Sequence, residues 1–341
     1  MISKKQIRFF LLSVFAISFA VYLFAGLIRR SGGLTAIQGV LGNALNHPAY
    51  LALGLGLIFL SLACGVCRWY LLMRYLRLPV RFWSAVRLYA AGVFFNLFGP
   101  GATGGDVVKA AWLARYTPGY RAEVVASIAA ERLIGFMGLV FFITFVSVVR
   151  YGFFASHPAL LALRGMIYGF CLFFVLLLIL MVFLDAKTLE RRLANGRTGS
   201  MVVRLLLRGW ETMHLCMSHK KATGYAFSLS ILNHFCDVCC YFAFAHALGL
   251  PVLFQDVLVV SPLANSTAAL PLTPGGSGVR ETALQMLLRS IGLPDEASAS
   301  LGLLMFSGLL FWSLASGIYL LCCAAIRRRG ESREAEEPEK A

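Results

Sequence analysis

Charge is scarce in this chain. Asp, Glu, Lys and Arg make up 14% of its 341 residues, where a soluble domain carries about 25% to face water. That shortfall excludes the soluble enzymes and soluble binding modules. Acidic residues are the scarcer sign, 16 against 31 Lys and Arg, for a net charge of +15. Catalytic motifs are missing too: there is no H-E-x-x-H, no G-x-S-x-G and no G-x-x-x-x-G-K-[ST], and the glycine-rich stretch Gly99 to Gly105 lacks the lysine of a nucleotide-binding loop. An ATPase or a hydrolase of those types is therefore excluded. The nine cysteines lie in or beside apolar stretches, which excludes a secreted disulfide framework. Cys64-x-x-Cys67 and Cys236-x-x-Cys239 have metal-like spacing but no matching second half, and read as small buried hydrophobes. Neither a metal nor a cofactor is expected.

What the chain has in abundance is apolar surface. Hydrophobic residues are 59% of the sequence, with 32 glycines and 27 phenylalanines, and the mean hydropathy is +0.76. This is the composition of a polytopic membrane protein in which glycine allows close helix packing. About 20 apolar residues are needed to cross about 30 Å of hydrocarbon. Segments of that kind run from Phe9 to Ile28, Tyr50 to Cys67, Val124 to Val149, Ala159 to Leu184, Ala222 to Leu248 and Ser298 to Ile326. Two further apolar segments, Leu88 to Ala114 and Val257 to Leu288, are broken by Gly/Pro clusters at Gly99–Gly105 and Pro271–Gly278, and neither can be one continuous helix.

The distribution of basic residues decides what the broken segments do. With the N-terminus in the cytoplasm and both broken segments returning to the face they entered, the cytoplasmic side collects Lys4, Lys5, Arg8, Arg68, Arg74, Arg77, Arg81, Arg87, Lys109, Arg115, Arg121, eight basic residues from Lys187 to Lys221, and Arg327 to Arg329. The opposite side keeps Arg29, Arg30 and Arg150, with Arg164 nearby. That is the positive-inside pattern, so the charge reports topology and not nucleic acid. If only the first broken segment crossed fully, the eight basic residues would move outside, against the rule. The expected fold is an all-α polytopic membrane protein with about six full transmembrane helices plus two inverted re-entrant helical hairpins. Residues 1–329 form a single integral membrane transporter-like domain, and 330–341 a disordered charged cytoplasmic tail. The stretch Ser200 to Met217 reads as an interfacial helix.

Both breaks share the pattern P-G-x-[ST]-G, in Pro100-Gly101-Ala102-Thr103-Gly104 and in Pro274-Gly275-Gly276-Ser277-Gly278. Paired interruptions in two halves are the best sequence pointer to a transporter's midplane site. Non-helical backbone at membrane depth survives only against protein or a watery cavity, and each helix that restarts after a break presents unpaired N–H groups to an anion. The candidate binding residues of the first break are Asn96, Pro100, Gly101, Thr103, Gly104, Gly105, Asp106 and Lys109. Those of the second are Asn265, Pro274, Gly275, Gly276, Ser277, Gly278, Arg280 and Glu281. Arg280 stands in a first turn where the helix dipole opposes a cation, so it is expected to seek a distant carboxylate or an anionic ligand rather than adjacent Glu281. Glu131 and Arg132 lie inside an apolar span. As neighbours they are expected to point to different partners among Asp106, Arg280, Glu281 and Asp237, either locking the bundle or lining a cavity. Asn233, His234 and Asp237 make a polar stripe on one helix, either a proton relay or an interhelical network.

These blocks resemble a known family. Phe95-Asn96-Leu97-Phe98-Gly99-Pro100-Gly101-Ala102-Thr103-Gly104-Gly105-Asp106-Val107-Val108-Lys109-Ala110, Glu131-Arg132, and Pro271 through Glu281 look like the signature blocks of the lysylphosphatidylglycerol synthase transmembrane-region family. In this sequence Ala102-Thr103 replaces the commoner glycine and aliphatic residue, Lys109 a usual arginine and Glu131 a frequent aspartate. The resemblance implies a membrane domain that moves or accommodates phospholipid-like molecules, as in the flippase half of multiple peptide resistance factor. A soluble aminoacyl-transferase domain is not expected, because fifteen residues follow Ile326. The expected function is that of a lipid transporter or flippase in the inner cell membrane, with both termini cytoplasmic and an anionic lipid head group between the two half-helix ends. Alternatives are a proton-coupled carrier of a small soluble anion, an accessory protein for glycolipid or hopanoid export, and an intramembrane lipid-modifying enzyme using Asp106 or His234. Cysteines introduced at Thr103 and Ser277 are expected to react with a membrane-impermeant maleimide from opposite faces; labelling of both from one face would rule out the inverted arrangement.

Overall fold

A computed structural model describes residues 34–98, 104–156, 164–173, 220–268 and 278–336, with isolated positions at 18, 22, 25, 29, 175 and 176. Their regular structure is helical, with no strand among them. The helices are α1 (Leu34–Leu45), α2 (Pro48–Tyr75), α3 (Phe82–Phe98), α4 (Gly104–Tyr116), α5 (Arg121–Val149), α6 (Tyr151–Ser156), α7 (Lys220–Ala247), α8 (Phe254–Thr267), α9 (Val279–Ser290) and α10 (Asp295–Glu336). The expected span Phe9 to Ile28, most of Ala159 to Leu184 and the segment Ser200 to Met217 fall outside the described residues.

Four helices are long and apolar enough to cross a membrane: α2, α5, α7 and the Asp295–Ala325 part of α10. They correspond to four of the six continuous spans expected. α2 differs in length, because the apolar reading stops at Cys67 before a charge, whereas the helix continues to Tyr75. Arg68 is thus no loop residue on the cytoplasmic surface but a buried side chain at 7% exposure. α1 was not foreseen, since its residues are too few to register as a span. α10 is helical to Glu336, past the start of the expected disordered tail at Gly330. Residues 331–336 are mostly good helix formers, and they prolong a helix that needs no new nucleation.

α2 and α7 form the central antiparallel pair. The Cys240 thiol donates to the Gly54 carbonyl at 3.3 Å, Ser61 Oγ donates to Asp237 Oδ1 at 2.9 Å, and Arg68 Nη1 donates to Ser230 Oγ at 3.0 Å. Contacts that climb α2 therefore descend α7. Close approach is possible because Gly54 has no side chain: a Cβ there would sit 2.1 Å from the Phe244 ring.

Separate helices flank both Gly/Pro clusters. α3 and α4 pack against each other, as do α8 and α9. Ala85 and Leu88 near the start of α3 share a buried cluster with Leu113 near the end of α4, and with Trp69, Met73 and Leu76 at the end of α2. Outgoing and returning arms therefore begin and end beside the same end of α2. In the second element, Val257 and Val260 of α8 and Leu284 and Leu288 of α9 lie in one cluster with Leu248 and Leu250 after α7. The start of α2 is at that end too, because Tyr50 stacks on His246 with 5.6 Å between ring centroids. The first pair of arms thus opens toward the finish of α2, the second toward its start.

The arms of the first element cross at their deep ends, where a Cβ on Gly105 would stand 2.0 Å from the Gly92 carbonyl oxygen. Backbone cannot retreat as a flexible side chain can. Gly105→Val is expected to lower the midpoint of thermal unfolding in detergent, with overpacking of about 1–3 kcal/mol or more, whereas Gly56→Val, where nothing lies within 4 Å, should leave it nearly unchanged.

Candidate functional site

The restart of α4 needs acceptors for its first N–H groups, and α3 supplies one. Asn96 Oδ1 accepts from Gly105 N–H at 2.8 Å, which ties the two deep ends together and relieves one orphan donor of the helix start. Asp106 follows in the first turn, where a carboxylate suits the positive end of the helix. It faces two cations: Arg132 Nε donates to Oδ2 at 2.5 Å, and Lys109 Nζ lies 2.8 Å from Oδ1 as an ion pair without hydrogen-bond geometry. Lys109, one turn later, also donates to Glu131 Oε2 at 2.9 Å. Glu131 Oε1 completes the chain with Arg68 Nη2 at 3.5 Å.

Three cations and two carboxylates are thus strung across α2, α4 and α5. Lys109 carries further support, since its ammonium lies 4.9 Å from the Trp69 ring centroid and 5.1 Å from that of Tyr89. As expected from their adjacency, Glu131 and Arg132 point to different partners. Arg132 reaches Asp106, and Glu131 meets Lys109 and Arg68, two cations that the charge pattern placed among the cytoplasmic basic residues.

The start of α9 is built differently, and one expectation is overturned there. Arg280 pairs with its neighbour Glu281: its Nε donates to Oε1 at 3.0 Å and its Nη2 bonds the same oxygen. The rule that consecutive residues diverge holds within a helix, whereas here Glu281 curls back over the helix start. Its Oε2 accepts from Gly278 N–H at 2.6 Å, half of a capping box, and the long guanidinium follows it. Gly278 makes the geometry possible with φ of +83°, where a Cβ would be strained.

A cavity of about 870 Å³ opens between these groups. Its lining takes Gly92, Val93, Asn96 and Lys109 from the first broken element and Asn265, Ala268 and Arg280 from the second. α2 adds Leu62 and Arg68, α5 adds Glu131, Arg132 and Phe136, α7 adds Asn233 and His234, and α10 adds Phe306 and Ser313. Among the described residues four cations and one carboxylate therefore face it; with Asp106 and Glu281, which pair with lining cations from behind, their sum is +1. The side chain of Arg132 is the most open, at 49% exposure.

Of the expected site residues, Asn96, Lys109, Glu131, Arg132, Asn265 and Arg280 line the cavity, Gly105, Asp106, Gly278 and Glu281 hold lining groups from behind, and Gly104 is buried at the start of α4. Asp237 does not line it; its carboxylate takes the Ser61 hydroxyl instead. Pro100, Gly101, Thr103, Pro274, Gly275, Gly276 and Ser277 lie outside the described residues. The stripe on α7 resolves into an interhelical network, with the Asn233 amide on Ser61 Oγ and His234 Nε2 at 3.2 Å from the Gly135 carbonyl, which requires the Nε2–H tautomer. Arg68 was missed as a site residue. Its signal was the apolar run Trp69 to Met73 beyond it, which extends the helical window past the charge.

Four membrane-length apolar helices contribute to a cavity lined by charged as well as apolar side chains. The chain belongs to the lysylphosphatidylglycerol synthase TM region family. Its model matches residues 10–317, nearly all of the apolar part and both breaks. No curated protein and no solved structure matches the chain. Membership makes it a multi-pass membrane protein of lipid handling.

The ion network can be tested by a double-mutant cycle read by thermal unfolding in detergent. Glu131→Gln leaves buried Arg68 without a carboxylate and Lys109 with Asp106 alone, and is expected to destabilise by about 3–5 kcal/mol. Lys109→Met should cost less, because Glu131 keeps Arg68 and Asp106 keeps Arg132. The double variant should cost less than the sum of the two; strict additivity would mean that Lys109 and Glu131 are not coupled.

Proposed function

We propose that the protein moves anionic lipids across the bilayer, holding the head group in the cavity between the two broken helices while the acyl tails stay in lipid. The observation that carries this reading is a cavity to which both broken elements contribute, with cations in excess of carboxylates among the described residues. Positive charge on a hollow among membrane helices costs stability: charge at the bilayer centre costs at least about 2.5 kcal/mol per group. A negatively charged guest offsets that cost. Family membership adds lipid handling.

In this reading the chain crosses the inner cell membrane six times, four of the crossings being α2, α5, α7 and α10, and both termini face the cytoplasm. α3–α4 and α8–α9 act as re-entrant hairpins from opposite faces. What supports this is that the first pair of arms shares a cluster with the end of α2, while the second shares one with the segment after α7, beside the start of α2. Such inverted elements suit alternating access by rocking of one half against the other. The sequence carries no nucleotide-binding loop, so movement is downhill or coupled to protons, and the protein is a carrier rather than an enzyme.

Reconstituted proteoliposomes with a tail-labelled anionic phospholipid test the proposal. The protein is expected to accelerate its appearance in the opposite leaflet, and the double variant Arg132→Ala, Arg280→Ala should abolish most of that acceleration. Unchanged movement in a folded double variant would show that this cavity is not the route.

A further inference from the structure

Asp237 is the intramembrane carboxylate that no cation holds among the described residues. Asp106, Glu131 and Glu281 each have a cation within 3.5 Å, whereas Asp237 takes a neutral donor, the Ser61 hydroxyl at 2.9 Å. It stands about 25 Å along α7 from Lys220 and about 15 Å from Ala247, deep in the span. Neither Gly/Pro cluster carries a charged residue, and the apolar run Phe9 to Ile28 carries none. Ala159 to Leu184 carries Arg164, which lies over the Tyr151 ring. A lone carboxylate at such depth is costly as an anion, and a proton relieves that cost. Two links tie Asp237 to the cavity it does not line. Ser61 Oγ also accepts from the amide of Asn233, a lining residue, and Arg280, another lining residue, lies within electrostatic reach of Asp237. The other titratable groups facing Asp237 are Cys64 of α2 and Cys236, Cys240 and Tyr241 of its own helix. α1, α5, α8 and α10 also pack on α7, and among the described residues they bring it no charge.

We propose that Asp237 is the proton-binding site of a proton–lipid symporter, one proton on its carboxylate accompanying one head group in each cycle. This rests on the lipid-moving reading above and adds its coupling ion. Ionised Asp237 draws on the positive field of Arg280; protonated, it leaves that field to the head-group phosphate. Proton and phosphate thus favour each other's binding, and the coupling is reciprocal. Protonation also reverses the bond to Ser61, since the carboxylic O–H then donates to Ser61 Oγ and fills its second lone pair beside the Asn233 amide. The proton is taken up from the face to which the cavity opens and is released, with the head group, at the other.

Proteoliposomes carrying tail-labelled phosphatidylglycerol provide the test, with the membrane potential clamped and protein-free vesicles as the baseline. A gradient of about one pH unit is expected to gather the label up to about tenfold in the leaflet on the alkaline side, because one pH unit is worth a factor of ten per proton. Asp237→Asn, which keeps an acceptor for Ser61, is expected to leave the label evenly distributed. Equal leaflets with the wild-type protein under the gradient overturn this inference while leaving lipid movement intact. No movement with or without a gradient overturns the reading beneath it and this inference together. A gathering that persists in folded Asp237→Asn overturns the assignment to this residue, which a merely structural hydrogen bond would also predict. Should that variant fail to fold or to move lipid, the wild-type protein is treated with dicyclohexylcarbodiimide, an apolar reagent for protonated carboxyl groups. Mass spectrometry is then expected to find the adduct on Asp237, with less of it at alkaline pH; no adduct there overturns the inference.

Discussion

Five charges set among membrane helices, four of them buried and Arg132 half-exposed, set the terms for the rest of this protein. Arg68, Lys109, Arg132, Asp106 and Glu131 are each too costly to leave alone in a medium with little water, and each is held by a partner on another helix or another turn. The network ties α2 to α5 through Arg68 and Glu131, and α4 to α5 through Lys109 and Arg132. It therefore dictates where the restarted helix α4 must sit. Because carboxylates are fewer than cations, the network also leaves positive charge over, and that surplus faces the cavity.

Steric fit and electrostatics act together at one crossing. Gly105 lets α4 touch the backbone of α3 at Gly92, and the Lys109 stem packs where a Gly92 side chain would have been. The same approach brings Asn96 onto the Gly105 N–H and lowers Lys109 between Trp69, Tyr89 and the two carboxylates. A bulkier residue at the crossing would displace the charged groups that line the cavity as well as the helix. The second element reaches a comparable result by another route, a left-handed glycine and a carboxylate curled over its own helix start, which presents Arg280 to the cavity already paired.

Much of this was legible in the sequence. The apolar runs named four helices that are present, and the Gly/Pro clusters lie between helices that are separate, because hydropathy and helix-breaking are local properties. Asn96, Asp106, Lys109, Glu131, Arg132 and Arg280 were also legible, since intramembrane charge and polar groups beside a break stand out against an apolar background. Arg68 was not, because a basic residue at the edge of a hydropathic run looks the same whether it caps a helix at the surface or continues it inward. The pairing of Arg280 with Glu281 failed for a related reason: the rule for neighbours within a helix does not describe its first turn, where a carboxylate folds back to the free N–H groups.

What composition and pattern alone determined is that the chain belongs among membrane helices, that two of its apolar segments cannot run unbroken, and which few residues carry charge where charge is expensive. These follow from the sequence because they are energies of single segments placed in lipid. Which charge meets which was settled only by packing. Ion pairs among α2, α4 and α5 join residues 22 to 63 positions apart, and their choice depends on helix crossings that no local property encodes.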